Sequence, residues 1–333
     1  MTLPQTFQAL VVQETQDQTF ARSVQERNLS DLPDGEVLVQ VLYSSLNYKD
    51  VLSATGNRGV TRKYPHTPGI DAAGIVAESS DAAFRQGDPV IVTSYDLGMN
   101  TPGGFGQYIR VPAGWVVPQP AGLSAREAMI FGTAGFTAAL SVWQMMEGGV
   151  GPEKGTVLVS GATGGVGSIA VSILSKLGYD VTAVNGVVDE SDYLKTIGAA
   201  DIISIEAASD TSGRPLLKAR WAGGIDTVGG DVLATMIKST DSWGAVTCCG
   251  NVASPELPLN VYPFILRGVK LCGIDSQNCP MPVRRKIWDK LASDWKIDWL
   301  DAITTEAPFE ALSGKIDLML QGRHVGRTII KMA

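Results

Sequence analysis

Apolar positions along the chain fall into two regimes. In the first stretch they come in short runs cut by glycine and proline. Phe7 to Val12, Glu36 to Tyr43 and Pro89 to Thr93 read as strands, punctuated by Leu32-Pro33-Asp34-Gly35 and Pro68-Gly69. Ser124 to Met146 turns helical, with Ser124 as the cap and Glu127 completing a capping box. From Thr156 to Ser276 strands alternate with helices. After Thr156 to Val159, the later strands are expected at Val181 to Asn185, Ile202 to Ser204, Ile225 to Val228, Ala245 to Cys249 and Val269 to Ile274. Such alternation predicts a parallel, doubly wound α/β sheet. A Pro-interrupted stretch then leads to a helix near Val283 to Trp295 and a last strand, Arg327 to Lys331. A terminal strand needs a partner, and this one is expected to return to the N-terminal β region.

Composition narrows the picture without changing it. A chain of 333 residues predicts two domains, and 44% hydrophobic with 18% charged residues is ordinary globular usage. A formal charge of -7 argues against a general nucleic-acid binder. The four cysteines, Cys248, Cys249, Cys272 and Cys279, form no disulfide framework and no Cys-x-x-Cys pair, so a reducing compartment, the cytoplasm, is expected. Met1 to Ala9 lacks the pattern of a signal peptide, and no apolar run reaches the length of a membrane span. No internal repeat or low-complexity tract is present.

The densest chemical signal is Thr156-Val157-Leu158-Val159-Ser160-Gly161-Ala162-Thr163-Gly164-Gly165-Val166-Gly167. It reads strand, small-residue turn, then a helix over Ser168 to Leu177. Ala162-x-Gly164-x-x-Gly167 is a dinucleotide-binding fingerprint with alanine in its first position. Small residues admit a pyrophosphate, and N–H groups at the helix start face its charge. Thr163, Gly164, Gly165 and Val166 are therefore candidate cofactor contacts. The second strand ends at Asn185-Gly186-Val187. No acid stands there to select the ribose hydroxyls of NAD, and Lys195 on the following helix is the available basic group.

More of the chain carries a family likeness. Ser44-Ser45-Leu46-Asn47-Tyr48-Lys49-Asp50, Pro68-Gly69-Ile70-Asp71-Ala72-Ala73-Gly74, Gly132-Thr133-Ala134-Gly135-Phe136-Thr137-Ala138, Trp221 to Gly229 and Pro263-Phe264-Ile265-Leu266-Arg267 resemble one branch of the medium-chain dehydrogenase/reductase superfamily. That branch holds the acrylyl-CoA reductases, long labelled quinone-oxidoreductase-like (the AcuI and YhdH/YhfP type). The resemblance implies a Rossmann dinucleotide-binding domain over 127–276 and a GroES-like β-rich catalytic domain over 1–126 and 277–333. It also implies a homodimer formed through the last Rossmann strand. Zinc enzymes of the superfamily use Cys and His ligands, and a tetrahedral site needs three or four of them. Here the only histidines are His66 and His324, the front domain has no cysteine, and Gly69-Ile70-Asp71 stands where the zinc enzymes carry Gly-His-Glu. No zinc is expected.

Without a metal to polarise a carbonyl, reduction of an activated carbon–carbon double bond fits better than alcohol oxidation. The resemblance implies NADPH-dependent reduction of acryloyl-CoA to propanoyl-CoA, with hydride to the β-carbon and a proton to the α-carbon. A quinone or general enone reductase on the same fold is the alternative, and a non-catalytic NADP(H)-binding protein the third reading. Such a site must align two partners and stabilise an oxyanion with neutral donors. Asn47 and Tyr48 are the candidates, and Tyr48 matches a position that contacts the nicotinamide end of the cofactor in the family. Asp50 and Asp71 would repel an enolate and are expected to fix loops instead.

Thr133 and Thr137 could contact the nicotinamide ribose or amide, or serve as a helix cap and a packed helical residue. Gly250, Asn251, Ile265 and Ser276 match the cofactor side of the family, with Phe264 beside them. The Cys248-Cys249 pair reads as buried strand residues or a redox pair. Relatives carry a basic residue at Val187, and a further arginine aligns with Asp201; both losses would relax the choice between NADPH and NADH. Arg58, Arg62 and Lys63, and separately Arg284 with Arg285 and Lys286, could meet the phosphates of a CoA thioester or be ordinary exposed charges.

Overall fold

Strand β1 (Thr6–Glu14) buries Ala9 to Val12 in one run and pairs along its whole length with β2 (Phe20–Asn28). The sequence reading did not anticipate β2: Phe-Ala-Arg-Ser-Val-Gln-Glu-Arg-Asn buries no residue fully and has no apolar run to announce it. Then follow β3 (Val37–Leu46), α1 (Tyr48–Ala54), β4 (Asp71–Ser79), β5 (Pro89–Thr93), β6 (Tyr108–Val111), β7 (Val116–Pro118) and α2 (Ala125–Glu147). The computed structural model describes residues 3–186 and 190–332.

Helix α2 begins as expected. The Ser124 hydroxyl receives the Glu127 N–H at 3.2 Å, and the Glu127 carboxylate receives the Ser124 N–H at 2.8 Å. It is not one helix, however. Gly132 sits at φ 51, ψ -154, which breaks the backbone between Phe131 and Thr133. By length and apolarity α2 could span a membrane, which the sequence reading had not anticipated; the break and the burial of 78% of its apolar window mark it as a core helix.

Next come β8 (Val157–Val159), α3 (Gly165–Lys176), β9 (Val181–Val184), α4 (Ser191–Thr196), β10 (Asp201–Ile203), β11 (Trp221–Asp226), α5 (Gly230–Lys238), β12 (Thr240–Cys248), α6 (Tyr262–Arg267) and β13 (Lys270–Gly273). They form a six-stranded parallel sheet in the order β10-β9-β8-β11-β12-β13. The chain order reverses between β8 and β11, the switch point at which such sheets bind ligands beyond their carboxyl ends. The core here includes Leu158, Val184, Met236, Ile237 and Val246. The chain closes with α7 (Met281–Leu291), β14 (Thr304–Pro308), α8 (Leu312–Leu320) and β15 (Arg327–Lys331).

Strand β15 returns as anticipated. It pairs antiparallel with β3, Ile329 against Ser45, and parallel with β14. The sheet runs β14-β15-β3-β4-β5-β7, with β6 also on β3. Val37, Val39, Val41, Leu46, Val76, Ile330 and Met332 share one buried cluster, each worth about 1.5–3 kcal/mol on full burial. The chain thus forms two units, Met1–Thr133 with Gln277–Ala292 and Thr304–Ala333, and Ala134–Ser276 with Ser293–Ile303. The division falls after Thr133 rather than after residue 126, and Ser293–Ile303 belongs to the second unit.

Gly132 is doubly constrained. Its backbone conformation is one that essentially only glycine adopts, and a Cβ there would stand 2.5 Å from both the Asp71 carboxylate and the Ser45 hydroxyl. Gly132→Ala is expected to cost about 2 kcal/mol or more, read as a lower midpoint in urea unfolding.

Candidate functional site

The strand end Leu46, the loop residue Asn47 and the start of β4 meet at one carboxylate. Asp71 is fully buried. Its Oδ2 accepts the Ser45 hydroxyl at 2.6 Å, the Asn47 amide at 2.7 Å and the Thr133 N–H at 2.9 Å. Its Oδ1 accepts the Thr133 hydroxyl at 2.6 Å. The break at Gly132 makes the Thr133 N–H available. Arg327, the first residue of β15, lies with Nη2 4.0 Å from Asp71 Oδ2. Its Nε donates to the Ile130 carbonyl at 2.9 Å, and its Nη1 to the Asn47 side-chain oxygen at 3.2 Å. Burial pulls the Arg327 guanidinium down from its usual range, while Asp71 and Asp50 hold it up.

Asn47 therefore lies between an anion and a cation, its nitrogen on Asp71 and its oxygen on Arg327. It precedes α1, and its N–H donates to Asp50 Oδ2 at 2.8 Å. Asp50 Oδ1 accepts the Gly69 and Ile70 N–H groups at 3.1 and 2.8 Å, which tethers the residues leading into Asp71. Burial and the neighbouring Asp71 push the Asp50 carboxyl up to about 7, against the pull of the Asn47 and Ile70 N–H groups. Tyr48, the first residue of α1, is 52% exposed. A ring of buried polar groups thus carries one outward-facing phenol.

A second brace lies at Ser94-Tyr95, which sit at φ 67 and 50 although neither is glycine. The Ser94 hydroxyl is 3.0 Å from that of Thr133. Because the Thr133 hydrogen points to Asp71, Ser94 is the donor. The Tyr95 ring stacks on Trp115 at 5.5 Å, and the Arg284 guanidinium lies 4.5 Å from the Tyr95 centroid. Arg284 also donates to the Thr93 carbonyl at 3.2 Å, the Thr93 hydroxyl at 3.1 Å and the Gln277 carbonyl at 3.2 Å.

In the second unit, the turn after β8 leads into α3 with Gly164 at the N-cap. Gly161 takes φ 58, and a side chain on Gly167 would strike the Gly161 carbonyl. The turn is therefore shaped by close backbone approach, and the first-turn N–H groups of α3 lack intrahelical partners. Thr163 lies next to Gly186 at the end of β9; a Cβ on Gly186 would be 3.7 Å from the Thr163 hydroxyl. Asp226 organises the neighbouring strand ends. It accepts the Ser160 hydroxyl at 2.7 Å and the Gly229 N–H at 2.8 Å. This cradle fits a nucleotide pyrophosphate.

Residues 33–121 match the alcohol dehydrogenase GroES-like domain family, and residues 165–293 match the zinc-binding dehydrogenase family. Full-length relatives decide the matter. The chain is 47% identical to a Bacillus subtilis protein that carries the name quinone oxidoreductase YhfP, over 98% of this chain and 99% of that one. It is 43% identical to acrylyl-CoA reductase AcuI of Ruegeria pomeroyi, over 97% and 98%. The chain belongs to the medium-chain dehydrogenase/reductase superfamily. It is an oxidoreductase of that superfamily, and solved structures agree. YhfP with NAD bound superposes with TM-score 0.96 at 46% identity, covering 98% of this chain and 100% of that one. The yhdH oxidoreductase of Salmonella enterica, in complex with NADP, gives 0.95 at 43% identity, with the same coverage.

The zinc implied by one family name has no fitting donor set. Among the described residues no group of His, Cys, Asp and Glu could hold a metal ion. Asp71 is ringed by five donor groups, one of them a guanidinium, and His66 Nε2 donates to the Gly98 carbonyl at 2.9 Å. His324 contacts the Thr328 hydroxyl at 3.0 Å, and burial together with Arg327 and Lys315 lowers it to about 4.

Several expectations need correction. Arg284 is not a substrate-rim residue: it is fully buried under Tyr95. Arg58 pairs with Glu14 and stacks over Phe20 and Tyr64, so its guanidinium braces a loop; Arg62 and Lys63 are exposed. Asp201 opens β10, opposite Thr182, at the amino end of the sheet, so it cannot stand at the adenosine ribose. Asn47 has its amide hydrogens turned to Asp71, which leaves Tyr48 as the outward donor. Val187 lies outside the described residues.

Lys195 is exposed in the last turn of α4, near the connection to β10. Gly250 is required because a side chain would meet the Thr227 carbonyl, and Asn251 beside it is exposed. Ile265 is 68% exposed on α6, Ser276 is half-buried, and Thr137 is buried within α2. Burial and Asp226 push the Cys249 thiol up to about 12, against a redox role. Sequence reading missed Arg327, Ser94 and Asp226. Only the lone arginine opening the final apolar strand could have drawn attention.

The Asp50 shift has a measurable sign. Its folded-state value, about 7, lies above the ordinary 3.8, so the folded protein binds the extra proton. The stability this contributes is fully present below the ordinary value and is lost as pH rises through about 7. Asp50→Asn is expected to flatten this part of the pH dependence of the urea midpoint between pH 5 and 8; an unchanged slope would reject the assignment.

Proposed function

We propose that the protein reduces the activated carbon–carbon double bond of an α,β-unsaturated thioester, of the acryloyl-CoA kind, with NADPH and without a metal. The observation that carries this reading is Tyr48, an exposed phenol at the head of α1, set on a buried network built around Arg327 and Asp71. The relative named acrylyl-CoA reductase, matching end to end, supports the thioester. The relative named quinone oxidoreductase keeps a quinone as the second reading.

When bound, the cofactor supplies hydride to the β-carbon. The electron pair of the double bond then moves toward the carbonyl oxygen. Tyr48 donates a hydrogen bond to that developing oxyanion, and a solvent-derived proton reaches the α-carbon. The Gly161–Gly167 turn holds the pyrophosphate, with Thr163, Gly164, Gly165 and Val166 along it. Asn185 and Gly186 meet the adenosine ribose. No carboxylate at these two positions selects NAD, and relatives occur with NADP and with NAD. NADPH is the proposed cofactor, with NADH accepted. Edge strand β13 and the exposed Val261, Tyr262, Ile265, Leu266 and Trp243 support a homodimer, tested by mass in solution. The cytoplasm is the proposed location.

The deciding assay follows NADPH absorbance with acryloyl-CoA, crotonyl-CoA, free acrylate and a benzoquinone in parallel. Turnover of acryloyl-CoA is expected; turnover of the quinone alone would replace the reading. Tyr48→Phe is expected to lower kcat about 100-fold, and unchanged turnover would remove its role. The NADPH to NADH ratio of kcat/KM is expected to be small. A ratio of about a thousand, roughly 4 kcal/mol, would refute shared use.

A further inference from the structure

The buried network under Tyr48 contains two carboxylates and one guanidinium. Desolvating such a group costs several kcal/mol per ion, and apolar side chains of similar volume often stabilise a core more. Its geometry is specific. Asp71 ties together Ser45 at the end of β3, Asn47 ahead of α1, Thr133 after the Gly132 break and Arg327 on β15. Three of these stretches are far apart in sequence, and Ser45, Asn47 and Arg327 are buried with Asp71 while Thr133 is half-buried.

Asn47 is the residue through which the network reaches the surface. Its amide dipole lies along the field between Asp71 and Arg327, at 2.7 Å and 3.2 Å. Reversing the amide would set its nitrogen against the guanidinium and its oxygen against the carboxylate. One side-chain orientation is therefore strongly preferred. The backbone of Asn47 is extended, with φ -125 and ψ 159, and its N–H is held by Asp50, so the entry into α1 is fixed at both backbone and side chain. Tyr48 is the next residue.

We propose that Asp71 and Arg327 are positioning residues for the reaction. Their charges orient Asn47, and through it they set the direction in which α1 presents the Tyr48 phenol. This rests on the reading of Tyr48 as the oxyanion donor. A misplacement of about 1 Å in such a donor can cost on the order of 100-fold in rate, whereas cofactor binding by the second unit needs neither residue.

The test is a double-mutant cycle on the full-length protein, with acryloyl-CoA and NADPH as substrates. Asp71→Asn alone is expected to lower kcat on the order of 100-fold, with the dissociation constant for NADPH, read by fluorescence, changed less than about threefold. In the Tyr48→Phe background the same substitution is expected to cost less than about threefold, because the group it positions is already gone. A merely structural residue would lower the rate by the same factor in both backgrounds, and that outcome overturns the proposal. If Tyr48→Phe alone leaves kcat unchanged, the Tyr48 role falls and this proposal with it; if Tyr48→Phe is impaired but the effects multiply, only this proposal falls. Should Asp71→Asn fail to fold, Arg327→Lys carries the same cycle. Lysine keeps the charge but not the planar fork, so the same loss of kcat and the same coupling to Tyr48 are expected.

Discussion

The carboxylate of Asp71 is the constraint on which the rest of the first unit depends. A buried carboxylate is tolerable only when its lone pairs are met and its charge is answered. Here the answer comes from four places in the chain: the Ser45 hydroxyl, the Asn47 amide, the Thr133 N–H and hydroxyl, and the Arg327 guanidinium. Each imposes a local shape. Thr133 can offer its N–H because Gly132 interrupts α2. Arg327 arrives because the last strand pairs with β3 in the register that sets Thr328 opposite Leu46. The arrangement gives the Tyr48 site a rigid polar floor.

The second unit solves a different problem by the same means. At the switch point of its parallel sheet, the carboxyl ends of β8 and β11 are joined by a polar tie. Asp226 supplies it by accepting from Ser160 at the end of β8 and from Gly229. The glycine-rich turn after β8 is held in a narrow conformation by its own close contacts, which leaves the N–H groups at the start of α3 pointing outward. Each unit thus uses one buried aspartate to fix the loop ends around it.

Much of this organisation is legible in the order of residues. The β8–α3 turn, the alternation behind the parallel sheet, the capping box of α2 and the return of the last strand all depend on neighbours in sequence, or on runs long enough to carry a period. Tyr48 and Thr133 were singled out because they stand in distinctive blocks. What could not be read were features that need distant partners. Strand β2 buries no residue fully and is held by its pairing with β1 along its length and by Phe20 against the core. The interruption of α2 depends on what surrounds Gly132, and Asp201 was misjudged because its position along β10 depends on its pairing with Thr182.

By itself the sequence determined the two-part plan, the dinucleotide turn, the shortage of zinc ligands and the blocks around Asn47 and Gly132. These follow from local periodicity, backbone freedom and residue supply, which need no third dimension. Only the tertiary structure decided which charges are answered and which face outward. It turned Arg284 from a candidate substrate contact into a buried brace, turned the Asn47 amide inward, and brought Arg327 to Asp71. The physical reason is that a side chain's chemistry depends on its dielectric surroundings and on the partner opposite it, and both are set by segments hundreds of residues away in the chain.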